Sequence, residues 1–382
     1  MTGGYMLFVF SYSLLEGSYG NIIDIFTLDN TGHIQVHKED YLDRPKIYKT
    51  IQDRASIESA MDASEDVRSY TPRVFSPALA YAGDKTAPSR VIGVDPDLEP
   101  TVTRLRDKVS SGEYFSSTPD RNGYFQAMIG KGVAINLDVD AGDEIVLISQ
   151  GADGSIANDI FMVSAVIGNR TSFDRMAVYL PLNAAQVFLS LGADVHEYAL
   201  LVEDRSENEE VAEVLAATLP EFTISPWQVV EATFYRTMES DKQGNYFTMG
   251  LIVFIVFIGV LNTVLMSVLE RTREFGVLRS IGCRPLDVIK MILLETTMLA
   301  LISVTLGMIL VLPIVMWVTE VGMQIPEPID MGGISFQHMK GEFKPYIFFH
   351  PMFFMLATAV MISIPPGIRA ARILPRDALG SF

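Results

Sequence analysis

Three long uncharged stretches dominate the hydrophobic pattern towards the end of the chain. Residues 249–269 read MGLIVFIVFIGVLNTVLMSVL, and two further uncharged runs cover residues 296–318 and 346–368. About 20 apolar residues in a helix cross the ~30 Å hydrocarbon core of a bilayer. A single run of this kind is also typical of a buried core helix, but three such runs close together favour transmembrane spans. The pattern therefore predicts spans near 249–269, 296–318 and 346–368.

The beginning of the chain carries a shorter apolar stretch. Residues 3–15 (GGYMLFVFSYSLL) number 13 and are followed by an acidic residue, Glu16. A helix of that length is too short to span a bilayer, and the stretch lacks the basic flank and small-residue cleavage site of a signal peptide. We expect residues 1–20 to be part of a first transmembrane helix that is truncated in this sequence. The fold class predicted is thus an α-helical membrane domain of four spans joined to a second, non-membrane domain.

Residues 21–226 show strand and turn patterns instead of long apolar runs. Ile34 and Val36 alternate with His33, Gln35 and His37, and further strands are predicted at 89–94, 131–137, 144–148 and 160–167. Helical patterns cover residues 182–191 and 208–219. We expect a mixed α/β domain of two lobes, with a strand-rich lobe at about 90–175. The face with the two histidines is predicted to be solvated; metal ligation is the alternative, although no third ligand is evident nearby.

The segment between this domain and the first long apolar run has a helical period. Val230, Phe234 and Met238 recur every four residues within 227–247. The spacing predicts either a stalk helix that carries the α/β domain or an ordinary surface helix.

Charge is distributed very unevenly and predicts the orientation. Residues 16–245 hold 19 basic and 37 acidic side chains, although the whole chain has a net charge of −17. This acidic domain is unsuited to gripping nucleic acid by charge. The loops after the first and third long runs are rich in arginine, whereas loop 319–345 is acidic. Basic loops stay in the cytoplasm, so the α/β domain is predicted to be extracytoplasmic. A single cysteine, Cys283, excludes an intramolecular disulfide.

No segment carries a recognisable catalytic motif. The pair Gly130-Lys131 is followed by Gly132, and Phe125 stands where a phosphate-binding loop requires glycine. Metalloprotease, serine hydrolase and Cys/His metal patterns are also missing from the sequence. We therefore expect a protein that is not an enzyme and binds no cofactor or metal directly.

Small and polar residues within the apolar runs predict close helix packing. They recur at Gly259, Thr263 and Ser267, with Asn262 beside them, and again at Ser303 and Gly307. Small residues let helix backbones approach closely, and asparagine can hydrogen-bond across an interface. These residues fit a seam between two copies of the chain and fit packing within one chain equally well.

A charged segment follows the first long run directly. It contains Glu270, Arg271, Arg273 and Glu274, and two glycines, Gly276 and Gly282, interrupt its helical pattern before Pro285. The pattern predicts a short amphipathic element at the cytoplasmic surface. Anchoring by positive charge alone is the simpler explanation.

Residues 262–295 (NTVLMSVLERTREFGVLRSIGCRPLDVIKMILLE) resemble the FtsX/MacB-type permeases of ATP-binding-cassette systems, which include macrolide exporters and lipoprotein-releasing complexes. The tail IRAARILPRDAL at 368–379 is similar to the family's C-terminal signature. The segments at 32–37 and 92–96 also resemble its extracytoplasmic domain.

The resemblance implies a permease subunit of the bacterial inner membrane that depends on a separate ATPase subunit, which would bind ATP and Mg. It implies that the ATPase contacts the charged segment, with the residues Glu270, Arg271, Arg273, Glu274, Gly276, Arg279 and Gly282. Further implied partners are a second permease copy, membrane lipid, and a periplasmic carrier or outer-membrane protein. The cargo stays open between an antibiotic, peptide or lipid and a lipoprotein. A non-transporting regulator of a periplasmic cell-wall hydrolase is the alternative function.

Overall fold

The computed structural model describes residues 1–120, 123–331 and 334–372. Its helices are α1 (Thr2–Phe26), α2 (Arg54–Asp62), α3 (Glu99–Val102), α4 (Lys131–Leu137), α5 (Leu182–Phe188), α6 (Asn208–Thr218), α7 (Trp227–Val230), α8 (Ala232–Glu270), α9 (Thr272–Ser280), α10 (Pro285–Glu320) and α11 (Pro345–Ala371). Its strands are β1 (Ile34–Lys38), β2 (Val67–Ala82), β3 (Lys85–Val94), β4 (Val109–Gly112), β5 (Gln126–Gly130), β6 (Glu144–Gln150), β7 (Ile156–Ile167), β8 (Ala177–Pro181), β9 (Glu197–Val202), β10 (Phe222–Pro226), β11 (Met323–Met331) and β12 (Ile334–Met339).

The chain divides into two compact units. One comprises residues 1–21, 237–325 and 338–382, and the other residues 22–236 and 326–337. Among the described residues, three helices are long and apolar enough to cross a membrane: α8, α10 and α11. They contain the three uncharged runs. Helix α1 is continuous over 25 residues but is not one of the three, so the count of four spans is not confirmed.

The second unit is built on one mixed sheet of ten strands. Its hydrogen-bonded order is β10-β1-β9-β2-β3-β8-β5-β7-β4, and β6 pairs with both β2 and β7. The pairs β3–β8 and β5–β7 are parallel, and the remaining pairs are antiparallel. The mixed α/β class is thus confirmed. The strands at 90–175 belong to the same sheet as the others, so the two-lobe layout is not confirmed.

The main apolar cluster joins the sheet to its helices. It includes Ile34, Val74 and Val91 from the strands and Ala185 from α5, all fully buried. Gly93 of β3 lies where α5 comes closest, since a Cβ there would be 2.4 Å from the Cβ of Ala185 and 2.4 Å from a methyl of Val74. Any larger residue would push these elements apart, which explains the glycine in an otherwise bulky strand.

Two predictions for this unit are wrong. Residues 131–137 form helix α4, because Val133, Ala134 and Leu137 face the core at helical spacing. The histidine face of β1 is buried rather than solvated: His33, Gln35 and His37 are 7%, 5% and 1% exposed. Strand β1 lies between β10 and β9 in the interior of the sheet, and both of its faces are covered.

The predicted stalk segment 227–247 is helical in two pieces. Helix α7 stops at Val230, and α8 begins at Ala232 and continues to Glu270. The C-terminal signature lies mostly beyond the described part of the chain, since α11 ends at Ala371 and description stops at Arg372.

Candidate functional site

The charged segment after the first long apolar helix is a separate short helix, α9. Helix α8 ends at Glu270, and Arg271 leaves helical geometry with φ −95° and ψ 13°. At the other end, Gly282 has φ +97°, a backbone conformation that side chains disfavour. The amide of Cys283 donates to the carbonyl of Leu278 at 3.1 Å, which is the six-residue hydrogen bond of a Schellman cap. Gly282 therefore ends α9, and Pro285 starts α10.

One face of α9 is buried against the apolar helices. Phe275 is 1% exposed and packs in a cluster with Val268 of α8, Val288 and Ile292 of α10, and Ala370 of α11. Burying a phenylalanine contributes about 1.5–3 kcal/mol. This cluster packs α9 against three helices at once.

The opposite face of α9 is open. Arg273, Val277 and Ile281 are spaced four residues apart and are all exposed, with Val277 at 44% and Ile281 at 76%. The neighbouring Leu286 is 66% exposed. A helix that presents an arginine beside several uncovered aliphatic side chains has the composition of a protein-binding surface.

Arg271 is held by ion pairs within the chain. Its Nη1 lies 2.9 Å and 2.8 Å from the two carboxylate oxygens of Glu295 on α10, and its Nε lies 2.9 Å from Oε2 of Glu274. The guanidinium also stands 5.5 Å from the centre of the Phe275 ring. Arg271 therefore fixes the junction of α8 and α9 to α10. The sequence predicted a contact residue here but did not identify Glu295 as its partner, because the two are 24 residues apart.

The seven predicted ATPase-contact residues are not equally accessible. Glu270, Arg273, Glu274 and Gly282 are exposed, Arg271 and Arg279 are half-buried, and Gly276 is buried. Arg279 donates from Nη1 to the carbonyl of Cys283 at 2.9 Å. The structure thus gives Arg271 and Arg279 internal partners. It also exposes Val277 and Ile281, which a pattern of charged residues does not indicate.

The predicted helix-packing residues lie in different surroundings. Gly307 is buried, and a Cβ there would lie 2.7 Å from Cδ1 of Tyr5 on α1. Gly259, Thr263 and Ser303 line a cavity of about 370 Å³. Asn262 is exposed and Ser267 is half-buried. Gly307 therefore packs within the chain, whereas a Cβ on Gly259 would meet nothing within 4 Å.

The α/β unit contains a buried charge network that the sequence did not indicate. Arg73 of β2 binds Glu99 through Nη2 at 2.7 Å and Glu197 through Nη1 at 3.2 Å. Glu197 also lies 3.1 Å from Nε2 of His37. Burial favours the neutral carboxyl, but His37 and Arg73 outweigh it and hold the pKa of Glu197 below its usual range. All four side chains are at least nine-tenths buried.

The described residues contain no group of three or more His, Cys, Asp or Glu side chains that could hold a metal ion. Both histidines of β1 have partners within the chain. His37 stacks on Tyr41 with ring centres 5.6 Å apart, and Nδ1 of His33 accepts a hydrogen bond from the amide of Val202 at 3.2 Å.

Two family models match the chain. The model described as the MacB-like periplasmic core domain matches residues 1–218, which is more than half of the chain. The model described as the FtsX-like permease C-terminal domain matches residues 246–375 and includes α9.

Curated relatives of similar length are lipoprotein-releasing proteins. The chain is 24% identical to the lipoprotein-releasing system transmembrane protein LolC of Xylella fastidiosa over 98% of this chain and 94% of that protein. It is 23% identical to the lipoprotein-releasing system transmembrane protein LolE of Haemophilus influenzae over 87% of this chain and 82% of that protein. The macrolide export ATP-binding/permease protein MacB of Nitrobacter winogradskyi is 24% identical over 75% of this chain, which spans 44% of that longer relative.

One solved structure similar to the chain is the crystal structure of the periplasmic region of MacB from Actinobacillus actinomycetemcomitans. It is 11% identical, has a TM-score of 0.39, and is aligned over 55% of this chain and 95% of that one.

Proposed function

Because this chain belongs to the ABC-transporter permease family with a MacB-like periplasmic core domain and an FtsX-like permease C-terminal domain, we propose that it converts the ATP-driven motion of a partner ATPase into a movement of its extracytoplasmic domain. The observation that carries the proposal is the two-sided helix α9. Phe275 anchors its inner face among α8, α10 and α11, and its outer face exposes Arg273, Val277 and Ile281.

The exposed face of α9 is the proposed contact with the ATPase. Bound to it, a closing ATPase subunit would push on a helix that cannot move without its three neighbours. ATP and Mg would be bound by that partner. The chain itself carries no phosphate-binding loop in its sequence, which agrees with this division of labour.

A pull-down tests the contact surface. We expect Arg273→Ala and Ile281→Ser each to weaken capture of the co-expressed ATPase by several-fold, because both side chains are exposed on the outer face. Arg170→Ala removes an exposed arginine of the α/β unit and serves as the control. Unchanged capture by both α9 variants, with normal membrane insertion, would exclude this face as the contact and leave anchoring as its role.

The chain is proposed to lie in the bacterial inner membrane with α9 in the cytoplasm. Cys283 is the single cysteine of the sequence and lies three residues after the end of α9. A membrane-impermeant thiol reagent should label it in inside-out vesicles and leave it unlabelled in intact cells. Labelling from outside intact cells contradicts the orientation.

A second permease copy is proposed to pack against α8. Only 11% of the most apolar stretch of α8 is buried within the chain, against 28% for α10 and 44% for α11. The side chains Leu251, Phe254 and Ile258 lie exposed along it. Cross-linking of single cysteines placed at these positions in a Cys283→Ser background distinguishes a second copy from lipid.

Cargo is proposed to be a lipoprotein, a lipid or an amphiphilic small molecule handled outside the hydrocarbon core. The relatives of matching length, LolC and LolE, favour lipoprotein release. Co-purification from detergent-solubilised membranes tests this: lipoprotein and a periplasmic carrier support release, whereas an outer-membrane protein supports export.

A further inference from the structure

A cavity of about 520 Å³ in the α/β unit combines an apolar wall with two polar groups that are free to bind. Phe75 of β2, Leu42 and Val230 form part of the wall, and Tyr41 and Arg90 also line the cavity. All of the lining residues lie within residues 22–236 of one compact unit. This space is called the Tyr41 cavity.

Tyr41 is the middle ring of a stack of three. Its ring centre lies 5.6 Å from that of His37 and 5.2 Å from that of His196, at interplanar angles of 22° and 12°. His196 is itself fixed, because its Nδ1 accepts from the amide of Phe75 and its Nε2 lies 2.9 Å from the carbonyl of Ile47. The stack therefore holds the phenol of Tyr41 in one orientation.

The hydroxyl of Tyr41 is available for a ligand, although the residue is only 7% exposed. It makes no hydrogen bond to any described residue, and its oxygen is not one of the polar atoms that are enclosed without a partner. A buried phenol normally has a partner for its O–H. A nearly buried donor on the wall of a cavity therefore indicates a ligand that carries a hydrogen-bond acceptor.

Arg90 of β3 brings a positive charge to the same cavity. It pairs with Pro77 of β2, so its side chain lies diagonally opposite Phe75, and the guanidinium stands 5.6 Å from the centre of that ring. Arg90 is exposed, and its five side-chain N–H donors have no hydrogen-bond partner in the described part of the chain. Burial and Glu197 raise the pKa of Tyr41, and Arg90 opposes this rise. Arg90 is therefore near enough to act on the phenol electrostatically.

The other charged residues that line the Tyr41 cavity do not neutralise Arg90. Glu197 is already bound within the buried network of the α/β unit. Glu231 is half-buried, and burial alone raises its pKa, so Arg90 does not act on it. Lys46 is exposed and adds a second cation. The accessible groups of the cavity therefore favour an anion.

Arg90 also borders a neighbouring space that is lined by Asp29 and Asp174. Nζ of Lys108 lies 3.1 Å from Oδ2 of Asp174 and 3.5 Å from Oδ2 of Asp29, and the two aspartate side chains are 7% and 3% exposed. These carboxylates thus have an internal cation of their own, and Arg90 forms no ion pair with either of them among the described residues.

A carboxylate group suits both free donors. Guanidinium N–H groups and a phenol O–H donate to carboxylate oxygens, and such charge-assisted hydrogen bonds are about twice as strong as neutral ones. The wall formed by Phe75, Leu42 and Val230 would cover an apolar body attached to that carboxylate.

We propose that the Tyr41 cavity binds an organic carboxylate, with the carboxylate group between the Tyr41 hydroxyl and the Arg90 guanidinium and the apolar part of the ligand against Phe75 and its neighbours. The assignment goes beyond the transport role and does not depend on it.

The test is calorimetric titration of the full chain in a non-ionic detergent with 3-phenylpropionate. The neutral 3-phenylpropanol and the cationic 3-phenylpropylammonium carry the same apolar body and serve as comparisons. We expect saturable binding of the carboxylate with a Kd on the order of 1 mM for a ligand of this size, and binding at least about tenfold weaker for the alcohol and the amine. Equal binding of the alcohol, or no saturable binding of the carboxylate, contradicts the proposal.

Two variants remove the donors one at a time. Tyr41→Phe keeps the ring stack and removes only the hydroxyl, and Arg90→Gln changes an exposed side chain. Each should weaken binding of 3-phenylpropionate about tenfold, the effect of losing one hydrogen bond to a charged group. Tyr81→Phe and Arg170→Gln change residues of the same unit outside the cavity and should leave binding unchanged.

Lys46→Gln separates the proposed position from a general attraction to positive charge. Lys46 lines the cavity but is not among the charges that act on Tyr41, so this variant should change binding by less than about twofold. A loss as large as that in Arg90→Gln, or full binding by Tyr41→Phe, would overturn the proposal. ATPase and nucleotide are absent from the titration, so its failure leaves the proposed transport function unaffected.

Discussion

Arg271 and Glu295 form an ion pair in which one guanidinium nitrogen, Nη1, lies 2.9 Å and 2.8 Å from the two carboxylate oxygens. The pair joins the residue between α8 and α9 to the first third of α10. Both side chains are partly exposed, at 35% and 44%, and an ion pair of this exposure stabilises the fold by at most about 1 kcal/mol. Its role is therefore to orient α9 rather than to hold the fold together.

Breaking this pair should misplace the proposed ATPase-binding face of α9 without removing it. We expect Arg271→Ala and Glu295→Gln each to weaken ATPase capture about twofold to fivefold, the range that an ion pair of up to about 1 kcal/mol allows. The double variant should capture the ATPase no less than either single variant does, because each single substitution already removes the same contact. Quantitative pull-down measures this cycle. Additive losses would mean that Arg271 contacts the ATPase directly.

Removing the buried Arg73 should destabilise the α/β unit strongly. Arg73→Met leaves the carboxylates of Glu99 and Glu197 buried without their cation, and losing one partner of a buried ionic network costs about 3–5 kcal/mol. Denaturant unfolding followed by the fluorescence of Trp227, which is buried in the same unit, measures the loss. Arg170→Met, at an exposed position, should change the unfolding midpoint little. Equal midpoints for the two variants would contradict a structural role for the network.

Acid should destabilise the same unit through a buried histidine. Nδ1 of His196 accepts from the amide of Phe75 and Nε2 faces the carbonyl of Ile47, both at 2.9 Å, so the folded ring is neutral. Burial lowers the pKa of His196 from its ordinary 6.5. Below pH 6.5 the histidine is protonated in the unfolded chain but stays neutral in the folded chain. The free energy of unfolding therefore falls as the pH falls.

The expected slope for His196 is about 1.4 kcal/mol per pH unit below 6.5, until the folded pKa is reached. Unfolding free energies at pH 7.5, 6.5 and 5.5 measure it. In His196→Gln the pH dependence of the unfolding free energy should lose the contribution of His196. The contribution of His33 should remain, because burial also lowers the pKa of that histidine. An identical pH dependence in parent and variant would refute the assignment.

Two glycines of the membrane helices form a matched pair for substitution. Gly307→Ala should lower the melting temperature by several degrees, because the new methyl would stand 2.7 Å from the fully buried ring of Tyr5. In Gly259→Ala the new methyl has no atom within 4 Å in a single chain. This variant should have a slightly higher melting temperature, because alanine has the higher helix propensity. Thermal unfolding in detergent compares them. A loss in Gly259→Ala that appears only in the associated protein would instead place Gly259 in the seam between two copies.

The sequence alone determined the features that depend on neighbours along the chain. Three apolar helices, the acidic α/β domain and the short element after Glu270 follow from local periodicity and charge. Within the α/β domain the same patterns predicted strands β1, β3, β6 and β7 and helices α5 and α6, but not the other six strands of the sheet. Of the two glycines predicted to interrupt the helical pattern, Gly282 does end α9, with a positive φ, whereas Gly276 lies within the helix.

Only the tertiary structure decided the features that depend on distant partners. His33 and His37 are buried because β1 is paired on both sides, by β10 and β9, and both of its faces are covered, which a period of two cannot reveal. Tens to hundreds of residues separate the partners in three further contacts, which are Arg271 with Glu295, Gly307 with Tyr5, and Lys108 with Asp29 and Asp174. Alternation and charge describe a single segment, whereas a contact depends on two, so these relationships arise only once the chain has folded.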